Sequence, residues 1–495
     1  MAVLSLLQIM VWVVYGVCLA FIFCYSLIQL QLTWLYLRVK NKTQVKTQVI
    51  LQPQNWPAVT VQLPLYNEIY VAERIIDAVM AFDYPADRFQ VQVLDDSTDA
   101  TKEITAARVK YYQNMGKNIQ FIHRTDRTGY KAGALQEALP AATGQFIAIF
   151  DADFLPAPNF LKAVIPAFDA PDMGVVQTRW AHLNRNYSLL TRLQAFALDA
   201  HFTIEQTGRN NGGHFINFNG TAGVWRKNCI LDAGGWQPDT LTEDLDLSYR
   251  AQLRNWKFKY LEHIEVPAEL PAAMPALKSQ QFRWTKGAAE TARKNLGKVL
   301  SSHHSLKTKL NGFFHLLNSS VFICVLMAGI LSLPVLILNH QGNSISSGFL
   351  QFRFLFVISF ISLISFYGVA YWQVTPAGNR SLINFSINFF MFLCLSMGLS
   401  LHNSIAVAEG YLGIKTPFIR TPKFNIRSNA DTWQTSLYAV KNISLLSFME
   451  GLLSVYFLVG IYLGFKFQDY GMMPFHTMLS IGFGTIFYFS VKHSR

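Results

Sequence analysis

From Leu4 to Leu30 the chain reads LSLLQIMVWVVYGVCLAFIFCYSLIQL and carries no charged residue. Crossing a bilayer takes roughly 20 such residues, wound as a helix because lipid leaves backbone polar groups no other partner. The stretch is too long for a signal peptide and lacks a basic leader or small-residue cleavage site. Residues 1–37 are therefore expected to be a transmembrane helix. A basic run follows, RVKNKTQVK, with Arg38, Lys40, Lys42 and Lys46. Basic flanks stay inside, which places the following domain in the cytoplasm.

From about Asn311 the chain turns apolar again, within a C-terminal region 299–495. Residues 312–338, 351–372, 443–465 and 471–491 read as spans. The stretch 381–409 is long and apolar but ends in His402, Asn403 and Glu409. If it crossed, the basic loop with Arg420, Lys423, Arg427 and Lys441 would fall outside. Lying along the inner interface it keeps that loop inside, which the charge rule favours. Five spans result, with the C-terminal VKHSR also inside. The expectation is a multi-pass integral membrane protein whose first partner is membrane lipid.

Composition agrees: 51% hydrophobic and 15% charged residues, with a mean hydropathy of +0.22, is apolar for a soluble protein but not membrane throughout. The net charge of +12 suits a face turned to anionic lipid. No basic-aromatic module supports nucleic-acid binding. The five cysteines, at 18, 24, 229, 324 and 394, lack metal or disulfide spacing. His201, His214 and His263 lack zinc-site spacing.

Between 45 and 298 strand and helix patterns alternate. Strands are expected at 58–67, 89–97, 118–124 and 145–153, with helices at 69–82, 99–115 and 131–142. Alternation of this kind argues for an α/β fold with a doubly wound, mostly parallel sheet, whose ligands bind beyond the carboxyl ends of the strands. Polar residues stand at those ends: Asn67 and Glu68, Asp95 and Asp96, Arg124 and Arg127, Asp151 and Asp153. One such end is an ordinary turn or cap. Four in succession suggest a site.

Asp151 and Asp153, one residue apart, fall on one side of an extended chain. Like carboxylates repel unless a divalent cation neutralises them, and Mg²⁺ or Mn²⁺ takes one or two carboxylates plus phosphate oxygens. Arg127 and Lys131 at a helix start supply an anion site. No P-loop and no G-x-G-x-x-G is present, so the arrangement suggests transfer from a nucleotide-activated donor. A base is offered by PDTLTEDLDLSYRAQL, where Thr240 to Glu243 fits a capping box opening a helix. Leu245, Tyr249 and Leu253 recur on its buried face, and Asp244 falls in the first turn.

The set LDDSTD, FDADF, TEDLDL and QQFRW resembles the processive membrane family-2 glycosyltransferases, the cellulose synthase group. Phrases such as GYKAGAL, NGTAGVWR and AGGW bring it closer to the cellulose-synthase-like mannan and glucomannan synthases. The resemblance is strong over about 55–300. It implies a GT-A type domain inserted between transmembrane helices. It also implies that Glu68, Asp95 and Asp96 face the base and ribose of a nucleotide sugar and that Lys131 approaches its diphosphate. Asp153 with Asp151 would hold donor and metal. The TED acids Glu243 and Asp244 would be catalytic, Asp244 as general base. Gln280 and Arg283 would lie near the leaving group, and Trp284 would stack on the acceptor sugar. Asn219, Gly220 and Thr221 match the acceptor-side loop. FIRTPKF, residues 418–424, resembles a gating loop, with Thr421 and Lys423 on the donor and Arg420 where the family has valine. Against that family pattern the chain is expected to have one N-terminal span and to lack a C-terminal regulatory domain of the cellulose synthase kind.

The implied reaction is a single inverting displacement from GDP-mannose or UDP-glucose onto a growing β-linked polysaccharide, a β-1,4-mannan or glucomannan or a glucan, and the resemblance further implies a route of export through the protein's own helices. A transferase that adds one sugar to a membrane lipid is the alternative. A sugar-nucleotide-binding transporter is the remote one.

Overall fold

The computed structural model describes residues 2–43, 55–341, 353–426, 431–434, 437–438 and 443–494. Expectations on residues 45–54, Arg427 and Lys441 lie outside these. Among the described residues seven strands form one sheet: β1 Val59–Leu65, β2 Phe89–Asp95, β3 Ile119–His123, β4 Phe146–Ile149, β5 Met173–His182, β6 Gly223–Arg226 and β7 Lys257–Ala268. Their order is β3-β2-β1-β4-β6-β5-β7. β1 to β4 pair in parallel, as do β5 and β7, while β6 runs antiparallel to β4 and β5. The expected mostly parallel sheet is thus a mixed one, with a single reversed strand. That reversal has a use. β6 begins beside Ile149 at the end of β4, so the loop 217–222 that enters it is delivered to the ligand edge.

Period-two alternation divides the core between the two faces of the sheet. Val59, Val61, Leu63 and Leu65 of β1 pack on one face with Phe146, Ala148 and Phe150. Ile147 and Ile149 turn to the other face, against Leu135, Phe218 and Trp225. The polar side chains of β1 pair within the sheet, Thr60 with Gln90 at 2.7 Å and Gln62 with Gln92 at 3.0 Å. Buried polar groups are tolerable only when bonded in this way.

Among the described residues, four helices are long and apolar enough to cross a membrane: Leu6–Lys40, Ser320–His340, Leu355–Val374 and Leu445–Lys466. The stretch 312–338 is divided, one helix ending at Leu316 and the next starting at Ser320. The stretch 381–409 is a pair, Leu382–Gly398 and Ser400–Leu412, bent by 49°, which counts as a fifth span if the pair crosses as one. Its first half meets the helix Met473–Lys492 where Gly398 lies against Gly482. Its second half packs between the span Ser320–His340, where Tyr411 Oη lies 2.7 Å from Ser320 Oγ, and the long helix Met274–Ser301 of the central domain, where His402 Nε2 stands 3.0 Å from the Lys278 carbonyl. Exposed side chains such as Leu6, Leu382, Leu445 and Leu452 give these helices a surface suited to lipid.

Candidate active site

The carboxyl ends of the strands open into a cleft of about 180 Å³. Tyr66 and Glu68 reach it from β1, Asp96 from β2, and Asp151 and Asp153 from β4. Asp95 does not. Strand alternation turns it inward, where it is fully buried, accepts from Ser97 Oγ at 2.6 Å and lies 2.9 Å from His123 Nδ1. Asp96 lines the cleft with both oxygens bound by Arg124, at 2.8 and 2.5 Å.

The expectation that Asp151 and Asp153 share one side of a strand does not hold. β4 ends at Ile149 and the chain turns at 152–153, which relieves the repulsion between parallel carboxylates. Each acid takes its own lysine. Lys131 Nζ donates to Asp151 Oδ1 at 2.5 Å and Lys423 Nζ to Asp153 Oδ2 at 2.7 Å. Lys131 stands at the start of the helix Tyr130–Ala138, and it also donates to the Gly220 carbonyl at 2.9 Å. Burial works against its charge, but Asp151 and Glu243 outweigh that and raise its pKa.

The expected capping box is absent. The helix Glu243–Leu253 starts two residues later than that motif requires, with Thr242 at its N-cap, no side-chain cap bond, and the Thr240 hydroxyl buried without a partner among the described residues. Thr242 is held instead by packing, since a side chain at Gly287 would stand 2.5 Å from its methyl group. Leu245 and Tyr249 are buried as the spacing requires, with Leu253 packed beside them. Glu243 and Asp244 occupy the first turn and line the cleft. Burial, then the charge of Glu243, pushes the Asp244 carboxyl up to about 7, while Lys131 and the amides of the helix start oppose the rise. A base acts only when deprotonated. Turnover should therefore climb between about pH 6 and 8 and then level off; a profile flat across that range would show that Asp244 is not the titrating group.

Gly220 joins the two halves. It holds φ +79°, and a Cβ added to it would lie 3.1 Å from Asp244 Oδ2 and 3.6 Å from Lys131 Nζ. A Gly220→Ala chain combines left-handed strain of about 1–2 kcal/mol with crowding of the carboxylate. We expect turnover to fall about a hundredfold, measured beside a thermal melt that moves by only a few degrees. Asn219 lines the cleft, its carboxamide oxygen fixed by Asn217 Nδ2 at 2.7 Å and Gln206 Nε2 at 3.2 Å. The Thr221 hydroxyl faces inward and accepts from the Asp151 amide at 2.9 Å.

The helix Met274–Ser301 brings Gln280, Arg283 and Trp284 to the opposite wall. Trp284 stands 6.4 Å from Trp180, ring centre to ring centre. Trp180, which sequence reasoning missed, also lines the cleft, with a buried indole N–H lacking a partner among the described residues. It sits on β5, a strand that was not anticipated.

A strap, residues 416–426, closes the remaining side. Its Phe418 lies under the Arg283 guanidinium at 4.6 Å and stacks on Tyr130 at 5.6 Å. Arg420 pairs with Glu68 at 2.7 Å. Burial pushes the Glu68 carboxyl up to about 8, although Arg420 pulls it back. Thr421 is buried in the cleft lining, its hydroxyl without a partner among the described residues. Glu269, also missed from sequence, accepts from the amides of Phe424 and Asn425 at 2.9 and 2.8 Å and anchors the strap's far end.

Residues 57–287 match the family model described as glycosyltransferase like family 2. Glucomannan 4-beta-mannosyltransferase 7 of Arabidopsis thaliana is 43% identical over 284 residues, 56% of this chain and 50% of that protein. A probable glucomannan 4-beta-mannosyltransferase 3 of Oryza sativa is 45% identical over 250 residues, 50% of this chain and 45% of that protein. The chain thus spans about half the length of the curated relatives it matches. Among solved structures, the mannosyltransferase PcManGT of Pyrobaculum calidifontis, in complex with GDP-Man and Mn²⁺, aligns with a TM-score of 0.50 at 17% identity, over 80% of this chain and 99% of that one. That likeness is one of fold. With the sheet, the cleft at its carboxyl edge and these matches together, residues 57–287 form a glycosyltransferase-like family 2 domain.

Proposed function

We propose that the chain is an inverting β-hexosyltransferase that extends a β-linked mannan or glucomannan from GDP-mannose, with UDP-glucose as the second donor. The observation that carries this reading is the meeting of Asp244, Lys131 and Gly220 within one cleft, opposite Arg283. The names of the relatives support mannose, and the fold neighbour PcManGT holds GDP-Man with Mn²⁺.

Asp151 and Asp153 are hard oxygen donors of the kind Mn²⁺ or Mg²⁺ takes. No group of three or more potential ligands occurs among the described residues, so phosphate and water oxygens would complete the shell. When bound, a divalent cation would neutralise charge on the leaving diphosphate. Asp244 removes the proton from the acceptor hydroxyl as that oxygen attacks the anomeric carbon and the carbon–oxygen bond to the diphosphate breaks. Arg283 and Lys131 face the charge that develops on the leaving group. Trp284 and Trp180 offer apolar faces to the sugar ring. One displacement inverts the centre, so an α-linked donor yields a β-linked product.

A second cavity, about 1500 Å³, shares Gln280 and Trp284 with the cleft and reaches Asp469 and Tyr470 at the other end of the helices. Its continuity favours a growing polymer that leaves through the protein over a single transfer to lipid. The basic residues Arg38 and Lys40 at the domain end of the first helix support a cytoplasmic cleft.

The test offers GDP-mannose and UDP-glucose, separately and together, to the full chain in nanodiscs with Mn²⁺. Nucleoside diphosphate release and a long β-mannanase-sensitive product are expected, and EDTA should reduce release to background. Short lipid-extractable products would overturn the polymer reading, and undiminished release in EDTA would overturn the metal.

A further inference from the structure

Lys286 follows Trp284 by two residues on the helix Met274–Ser301, fully buried and outside the cleft lining. A buried ammonium is costly unless it is paired and hydrogen-bonded. Its Nζ donates to Glu409 Oε2 and to Thr416 Oγ1, both at 2.8 Å. Glu409 belongs to the helix Ser400–Leu412, which Gly413 ends at φ +75°. Thr416 is the first residue of the strap. Gly410 lets that helix press against the catalytic one, for a Cβ there would lie 2.7 Å from both the Lys286 carbonyl and Ala289 Cβ. Two residues beyond Thr416, Phe418 meets Arg283, which lies three residues before Lys286 and so on the same helix face. The strap is therefore registered twice on one face of the helix that carries the catalytic arginine.

We propose that Lys286 is a positioning residue for donor capture. Through Glu409 and Thr416 it sets where the strap enters the cleft, and so how firmly Phe418, Arg420 and Lys423 close over a metal-bound nucleoside diphosphate. The inference rests on the reading of the cleft as a nucleotide-sugar site. Lys286 itself touches no reacting atom.

The test uses the full chain in nanodiscs and trypsin, which has sites in the strap region at Lys415, Arg420 and Lys423. In the parent, GDP with Mn²⁺ should slow cleavage between 413 and 426 about tenfold, since proteolysis follows the open population. Lys286→Met should reduce that protection to less than about twofold and raise the donor KM about tenfold, with kcat changed less than about threefold. Lys286→Arg, which keeps the charge, should restore both. Thr416→Val removes only the strap-side partner, leaves the Glu409 pair to hold the fold, and should shift KM in the same direction. If the parent is protected while Lys286→Met and Thr416→Val are protected equally with unchanged KM, the inference fails and the nucleotide reading stands. If GDP with Mn²⁺ protects nothing in the parent, the nucleotide reading falls and the inference falls with it.

Discussion

Asp244→Asn should lower turnover about a thousandfold while donor binding stays within about twofold. The amide keeps the size and most of the hydrogen bonds of the carboxylate, and it cannot take a proton from the acceptor. The neighbour sharpens the comparison. Glu243 is also buried and its carboxyl is also raised, by burial first and with Lys131 opposing, yet it is Asp244 whose Oδ2 faces Gly220 at the acceptor loop. Glu243→Gln should therefore cost only about tenfold. Nucleoside diphosphate release and equilibrium nucleotide binding on the same preparations measure both effects. An Asp244→Asn chain within tenfold of the parent would remove Asp244 from the mechanism.

The second large effect is structural. Lys278 Nζ donates to Glu450 Oε2 at 2.6 Å, with Lys278 7% exposed and Glu450 0%. The pair joins the helix that carries Gln280, Arg283 and Trp284 to the apolar helix Leu445–Lys466. Removing one partner strands a buried charge, which costs about 3–5 kcal/mol. Glu450→Ala should thus lower the melting temperature by several degrees and reduce the yield of folded protein. Lys278→Met combined with Glu450→Leu should recover most of the loss, because an apolar pair of similar volume is nearly neutral where one stranded charge is not. Thermal melts of the parent, the single and the double variants in one lipid composition read the difference. A double variant as unstable as the single would show that the pair is not what holds these helices together.

Four of the seven strands were legible in the sequence because they are apolar runs that end in charged or polar residues. β1 to β4 follow that pattern, and their boundaries fall within a few residues of those expected. β5 and β7 were not anticipated, since Arg179, Trp180 and His182 in one and Glu262, His263 and Glu265 in the other give them the composition of loops. β7 did carry a signal in its first residues, where Lys257 and Lys259 alternate with the buried Phe258 and Tyr260. β6 is only four residues long and is recruited by its neighbours. At the site, residue types at strand ends pointed to most of the cleft. Which acid of a neighbouring pair faces it depends on strand phase, and Asp95 lost that contest to Asp96. The partners of the acids were beyond reach: Lys423 meets Asp153 across 270 residues, and Arg420, noted only as a departure from the family pattern, neutralises Glu68. Contacts made by chain crossings of that length are set by tertiary packing, which spacing in a sequence does not encode.

Everything proposed for the cleft depends on Asp244 driving a single displacement at the anomeric carbon of a nucleotide-activated hexose. The configuration of the newly formed bond reports on that step, read by NMR on product made from GDP-mannose by the full chain. A β-linked product that Asp244→Asn fails to make is the predicted result. An α-linked product, or a β-linked one formed as fast without the carboxylate, would contradict the mechanism.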